Sequence, residues 1–96
     1  MLNFEHWKLA TDTRDAILNL ANPVGIIQEI DSALNKLNSS DNTDFLQYLS
    51  SLFLTIVVNK EGALPNDIPN ITKALENAQE ARSIIKDKLL YKRQAS

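Results

Sequence analysis

The least charged part of the chain lies between Asp44 and Lys60, where no Asp, Glu, Lys or Arg occurs. Leu, Phe, Ile and Val dominate it, and Gln, Ser, Thr, Asn and one Tyr are its only polar side chains. This pattern predicts a helix over residues 44–60 that is apolar on nearly all sides. Such a helix is either surrounded by other helices or inserted in a membrane. The uncharged run is shorter than the ~20 residues that a bilayer crossing requires, so we expect other helices to surround it.

Two amphipathic helices are predicted before this segment. The first covers residues 4–21 and has Asn3 in the N-cap position, where a short side chain accepts a backbone N–H. It ends at Asn22-Pro23, because the residue before a proline disfavours the helical region. The second covers residues 24–38, with Pro23 in its first turn, where the missing N–H costs nothing. Its apolar residues are three or four positions apart, as one helix face requires: Ile26, Ile27, Ile30, Ala33, Leu34 and Leu37.

A connection of turn-forming residues leads to the third helix, for which Asp44 is the predicted N-cap. Gly62 is expected to end that helix in the left-handed conformation. A linker stiffened by two prolines then precedes a fourth helix over residues 69–92. The predicted core row of that helix is Ile71, Leu75, Ala78, Ala81 or Arg82, Ile85 and Leu89.

These elements predict the fold class. Short links after the first two helices favour antiparallel neighbours. We therefore predict an all-α fold, an antiparallel four-helix bundle with helices at about 4–21, 24–38, 44–60 and 69–92, formed by a single domain over residues 1–96. The third helix is expected to be the most buried, with the other three around it. A chain of 96 residues can fold alone, with little stability to spare.

Few side chains are suited to catalysis or metal binding. The chain has no Cys and a single His, His6, so neither a disulfide framework nor a zinc motif is available. Its paired carboxylates fall on helix faces that the apolar pattern assigns to solvent, where burial does not tune them for acid–base work. We therefore expect no enzyme activity, no metal and no cofactor. The N-terminus lacks a basic region followed by an apolar segment, so no secretory signal is expected and a cytoplasmic location fits.

Charge is unevenly distributed along the chain. The net charge of −2 gives no reason to expect nucleic acid as a partner. Residues 1–81 carry eleven acidic and five basic side chains, whereas residues 82–96 carry five basic and one acidic. The basic end of the fourth helix has two explanations. It complements the helix dipole, and its mixture of base, leucine and tyrosine is also typical of a surface that contacts an anionic membrane or an acidic partner.

The order of features between residues 17 and 90 resembles the bacteriocin immunity proteins of lactic acid bacteria, particularly the enterocin A immunity type. The resemblance begins at Asn22-Pro23 and continues through the helix GIIQEIDSALNKL, a polar loop and the apolar helix DFLQYLSSLFLTIVVNK. It then extends through the linker EGALPNDIP into the last helix, NITKALENAQEARSI.

This resemblance implies an antiparallel four-helix bundle in the cytoplasm of a cell that produces a pore-forming class II bacteriocin. The protein would protect that cell by binding, without catalysis, to the membrane receptor, the mannose phosphotransferase permease, once the bacteriocin has engaged it. In this family the C-terminal half is implicated in the choice of bacteriocin. We expect a monomer with peripheral membrane contact. The residues expected to face the membrane or the receptor are Lys86, Lys88, Tyr91, Lys92 and Arg93.

A second function stays open beside this one. The apolar excess of the third helix and the row Ala74, Ala78 and Ala81 in the fourth are also typical of a small homodimeric helical adaptor, since small residues let a partner helix approach. Such a module would have no membrane role. A stable dimer in light scattering would favour it.

Overall fold

Four α-helices make up most of the computed structural model, which describes residues 3–95, with side chains described through position 91. No strand occurs in this range. The helices are α1 (Phe4–Leu18), α2 (Gly25–Asn35), α3 (Asn42–Asn59) and α4 (Ile71–Ala95). Two short 3₁₀ segments, Ser39–Asp41 and Lys60–Ala63, flank α3. The all-helical class and the number of helices predicted from the sequence are confirmed.

The start of α1 agrees with its predicted cap, but its end does not agree with the predicted boundary. The Asn3 side chain accepts a hydrogen bond from the His6 backbone N–H at 3.0 Å, and the His6 ring accepts one from the Asn3 N–H in return. The helix ends at Leu18, three residues before the predicted position 21. The side-chain amide of Asn19 donates to the carbonyl oxygen of Asp15 at 2.8 Å. A local bond of this kind from Asn to the backbone competes with helical hydrogen bonds, so the helix ends here.

The bounds of α2 and α3 differ from prediction at both ends. Pro23 lies in a turn before α2, and its carbonyl oxygen accepts the Ile26 N–H at 3.1 Å. That helix ends at Asn35, because the following N–H groups bond three residues back and tighten the last turn. Asp44 is not the N-cap of α3, since the 3₁₀ segment before Asn42 leads directly into the helix and places Asp44 in its first turn.

The end of α3 corrects a second cap prediction. Lys60 adopts φ 53° and ψ −126°, whereas Gly62 has a negative φ. The chain therefore leaves the helix through a positive φ at a lysine, two residues before the glycine expected to supply it. At the start of α4, the Asn70 side chain accepts the Lys73 N–H at 3.0 Å, which caps a helix that begins at Ile71 and extends to Ala95.

The core contains residues from all four helices, and its largest contact is between α3 and α4. Phe45, Leu49, Phe53 and Ile56 of α3 are buried, as are Ala74, Ala78, Ala81 and Ile85 of α4. The small side chains of the alanine row let the two helices approach closely. The Cα radius of gyration is 12.8 Å, close to the ~12.5 Å of a compact folded chain of this length.

The buried row of α4 is rotated from the predicted one. Ile71 is 42% exposed, whereas Asn77 is only 1% exposed and faces the core side of the helix. A polar side chain therefore occupies a position that the apolar pattern could not assign. Ala78 and Ile85 are buried as predicted.

Among the described residues α3 buries the most apolar side chains of the four helices, as predicted, but the prediction that the other three helices surround it is wrong. The exposed side of α3 carries an uncharged stripe: Gln47, Ser51, Leu54, Thr55 and Val58. The two hydroxyl groups of this stripe donate to backbone carbonyl oxygens four residues earlier, at 3.2 and 3.0 Å, so they need no outside partner. The helices α1 and α4 each pack against the other three, whereas α2 and α3 have little contact with each other.

Candidate functional site

The residues predicted to bind a partner lie in the second half of α4. This helix is described to its last turn, but the side chains beyond position 91 are outside the described residues, and the predictions for Lys92 and Arg93 fall there. The structure places the remaining three predicted side chains, Lys86, Lys88 and Tyr91.

Lys86 and Lys88 lie on different sides of α4. Two positions correspond to about 200° of rotation around an α-helix, so these side chains point away from each other. Lys86 lines a groove between α3 and α4, whereas Lys88 and Tyr91 line a groove between α2 and α4. The structure thus brings Lys88 together with Tyr91 and separates both from Lys86.

The Lys88 side of α4 is joined to α2 by an ion pair. Nζ of Lys88 lies 2.7 Å from Oδ1 of Asp31, and the two side chains are 27% and 50% exposed. A pair exposed to this degree contributes at most ~1 kcal/mol to stability. Leu34 lies in the same groove, and Tyr91 is 73% exposed. The charge of Lys88 is therefore partly neutralised, and the exposed Tyr91 ring shares this side with the exposed carboxylate of Asp87.

The Lys86 side of α4 forms a cationic groove of about 320 Å³. Nε of Arg82 is buried and has no hydrogen-bond partner among the described residues. Lys86 is exposed and forms no ion pair within the described part of the chain. Because guanidinium and ammonium groups only donate hydrogen bonds, this groove is suited to an anionic group. Its lining residues are Val57 of α3 and Gln79, Arg82, Ser83 and Lys86 of α4.

The sequence did not single out Arg82 as a candidate residue, because its position was an alternative to Ala81 in the predicted core row. The structure buries Ala81 and places Arg82 about 100° further around the helix, at the edge of the contact with α3. The available signal was the spacing of four residues between Arg82 and Lys86, which places two cations on one helix face.

The single histidine takes part in a contact between the starts of α1 and α3. Nε2 of His6 lies 3.9 Å from a carboxylate oxygen of Asp41. One turn into the helix, the rings of Trp7 and Tyr48 stack with centroids 5.3 Å apart and planes at 24°. These contacts join two helices at one end. Within the described part of the chain, no group of three or more His, Cys, Asp or Glu could hold a metal ion.

Among residues 3–95, no helix combines the length and the apolar character that a membrane crossing needs.

Comparisons with protein-family models, with curated proteins and with solved structures found no match of any of these three kinds.

Proposed function

We propose that this chain is a bacteriocin immunity protein. It protects the producer cell from a pore-forming class II bacteriocin by binding the complex of the bacteriocin with its receptor, the mannose phosphotransferase permease, from the cytoplasmic side. Support comes from the order of the helices, which resembles that of this family. The observation that carries the proposal is the cationic groove at Arg82 and Lys86, whose two cations have no acidic partner among the described residues.

We further infer that the four helices form an antiparallel bundle. The starts of α1 and α3 meet at the stack of Trp7 on Tyr48. The end of α1 lies against the first half of α4, where Asn77 donates to the carbonyl oxygen of Ile17. These contacts support alternating directions of successive helices, the arrangement that short links favour.

Binding in this proposal is electrostatic and peripheral. The cytoplasmic leaflet carries a negative surface potential, near which each Lys or Arg contributes about 1 kcal/mol. Arg82 and Lys86 supply such charges on one side of α4. Tyr91 presents an aromatic ring on the other side, and a ring with a polar tip suits a membrane or protein interface. Neither action requires catalysis.

The alternative of a homodimeric adaptor draws no support from the alanine row. Ala74, Ala78 and Ala81 are fully buried, so their small side chains serve the packing of α4 within the chain. Light scattering tests this alternative, and a stable dimer at micromolar concentration would favour it over the immunity function.

The test of the proposed function is protection of living cells. The full chain is expressed in a strain sensitive to a panel of class II bacteriocins, and killing is measured against the empty vector. We expect reduced killing by at least one member of the panel. Unchanged sensitivity to every member, with the protein present at normal level, would overturn the proposal.

Variants then test the cationic groove. We expect Lys86→Gln to weaken protection and Lys86→Arg to preserve it, because the proposal requires the charge at this position. Lys8→Gln is the matched control, since Lys8 is also an exposed lysine but lies on α1, paired with Asp12 at 3.1 Å. Equal protection by the Lys86→Gln and Lys8→Gln variants would exclude the cationic groove as the binding surface.

A further inference from the structure

A second groove separates the start of α2 from the first half of α4. Its volume is about 540 Å³. Its apolar part includes Val24 and Ile27 of α2, which are 73% and 49% exposed, and Ile84 of α4. Exposed aliphatic side chains on one wall provide a surface on which the apolar part of a ligand could lie.

The floor of this groove contains a buried polar group without a partner. Asn77 is 1% exposed and lines the groove. Its amide nitrogen donates to the carbonyl oxygens of Ile17 and Leu20 at 3.0 and 2.9 Å, which fixes the orientation of the side-chain amide. Its Oδ1 has no hydrogen-bond partner among the described residues. A buried acceptor without a partner is unfavourable, so a donor that reaches this oxygen is stabilised there.

The rim of the groove carries two carboxylates and the ammonium group of Lys73, so its balance is acidic by one charge. Glu76 and Glu80 line it one turn apart on α4, and both are exposed. Lys73 partly neutralises Glu76 at 3.8 Å, whereas Glu80 forms no ion pair with a described residue. We call the region lined by Val24, Ile27, Lys73, Glu76, Asn77, Glu80 and Ile84 the acidic groove.

We propose that the acidic groove binds a basic side chain presented by a cationic peptide segment of a partner protein. Lys and Arg combine a long apolar stem with a head that only donates hydrogen bonds. The stem lies against Val24 and Ile27, and the head reaches the Glu80 carboxylate. Arginine fits best, because it has donors for the Glu80 carboxylate and further N–H groups for Asn77 Oδ1 once a side-chain shift uncovers that oxygen.

Other classes of ligand fit the acidic groove less well than a basic side chain does. A neutral apolar ligand would cover the walls but leave Asn77 Oδ1 without a donor. An anionic ligand would be repelled by Glu76 and Glu80. Asn77 Oδ1 is covered in the free chain, so seating the donor requires a shift of a neighbouring side chain, and rotamer changes of this kind are common at interfaces. The acidic groove is separate from the cationic groove at Lys86, so its occupant does not depend on the proposed function.

The experiment uses two short peptides and the full chain labelled with ¹⁵N. The probe is the acetylated, amidated peptide Leu-Arg-Leu-Arg-Gly, and its counterpart has citrulline in place of each arginine, which keeps the shape and removes the charge. We expect the arginine peptide to shift the resonances of Ile27, Glu80 and the Asn77 side-chain amide in a saturable manner. The citrulline peptide should bind at least about tenfold more weakly, equivalent to about 1.4 kcal/mol.

A matched pair of variants separates the groove from general charge attraction. Glu76→Gln combined with Glu80→Gln should weaken the arginine peptide by about tenfold or more. Glu5→Gln combined with Glu61→Gln removes the same charge from exposed positions outside the groove and should leave the affinity unchanged. The proposal would be overturned if both double variants lost the same affinity for the arginine peptide. It would also be overturned if the citrulline peptide bound as tightly as the arginine peptide, or if neither peptide shifted these resonances. If the resonances of the groove residues shifted with protein concentration in the absence of peptide, the occupant would be a second copy of the chain, and the proposal would be overturned.

Discussion

The side-chain amide of Asn77 in α4 donates a hydrogen bond of 3.0 Å to the backbone carbonyl oxygen of Ile17 in α1. A second bond of 2.9 Å reaches the carbonyl oxygen of Leu20. The last carbonyl groups of a helix have no partner within the helix. Asn77 therefore supplies, from a distant part of the chain, a donor to the carbonyl oxygen of Leu20 and a further donor to that of Ile17, which also accepts the Leu20 N–H at 3.2 Å.

The first prediction concerns this cap. Asn77→Ala removes both side-chain bonds, so the Leu20 carbonyl oxygen loses this donor while that of Ile17 keeps the Leu20 N–H. We expect it to lower the free energy of unfolding by about 1–3 kcal/mol, measured by urea denaturation. Gln79→Ala is the control, because Gln79 is exposed on the same helix and should change stability by less than about 0.5 kcal/mol. Equal effects of the two substitutions would show that the buried amide has no special role.

The second prediction concerns the two sides of α3. Phe53 is completely buried, so Phe53→Ala should cost about 3–5 kcal/mol through lost burial and the cavity that remains. Val58 is 67% exposed on the same helix, and Val58→Ala should cost less than about 0.5 kcal/mol. Urea denaturation measures both.

A small domain has only about 5–15 kcal/mol of total stability, so Phe53→Ala is expected to leave a partly unfolded population. Phe53→Leu is the milder companion and should remain folded with a loss below about 2 kcal/mol. A large loss at Val58 would mean that the exposed stripe of α3 is covered in solution.

The third prediction distinguishes the two residues that could end α3. Lys60 has a positive φ, which costs a residue with a side chain about 1–3 kcal/mol. Lys60→Gly removes that strain, and after the entropy cost of glycine we expect a gain of about 1 kcal/mol. Gly62 has a negative φ, and an added Cβ would meet nothing within 4 Å. Gly62→Ala should therefore be neutral or stabilising by up to about 1 kcal/mol. Thermal unfolding followed by circular dichroism measures both, and destabilisation by Gly62→Ala would restore the glycine as the helix stop.

The fourth prediction concerns the ion pair between Asp31 and Lys88. A double-mutant cycle with Asp31→Asn and Lys88→Gln should give a coupling energy of about 0.5 kcal/mol, because the pair is half exposed at Asp31. The coupling should fall in high salt, since exposed charges are screened. The pair Lys8 and Asp12, which lies within one helix, is the reference for a fully surface pair. A coupling above about 2 kcal/mol would show that Lys88 is bound too firmly to serve a partner.

The fold class could be predicted from the sequence because apolar residues recur at the intervals that an α-helix requires. The interval of three or four residues in α2 identified Ile26, Ile30 and Ala33, and all three are buried. The helix ends were less predictable, because they depend on bonds between distant residues. Nothing near Leu18 in the sequence indicates that Asn77 will cap this end of α1.

The candidate site could be predicted only in part, for a related reason. The sequence shows that base is concentrated in α4, but a count along the chain ignores the rotation of the helix. That rotation separates Lys86 from Lys88 and joins Lys86 to Arg82. The acidic groove could not be predicted at all, since it requires Val24 of α2 to lie across from Glu80 of α4, a relationship that only the packed chain defines.

The packing of α4 against all three other helices has a consequence for the way the protein is made. Translation delivers α1, α2 and α3 before α4, so Phe45 and Phe53 lack their α4 neighbours until that helix has left the ribosome. A nascent polypeptide in that state exposes an apolar helix face, the kind of surface that chaperones recognise and that drives aggregation. The time needed to synthesise α4 and release it from the ribosome therefore sets how long this apolar face stays uncovered and able to aggregate.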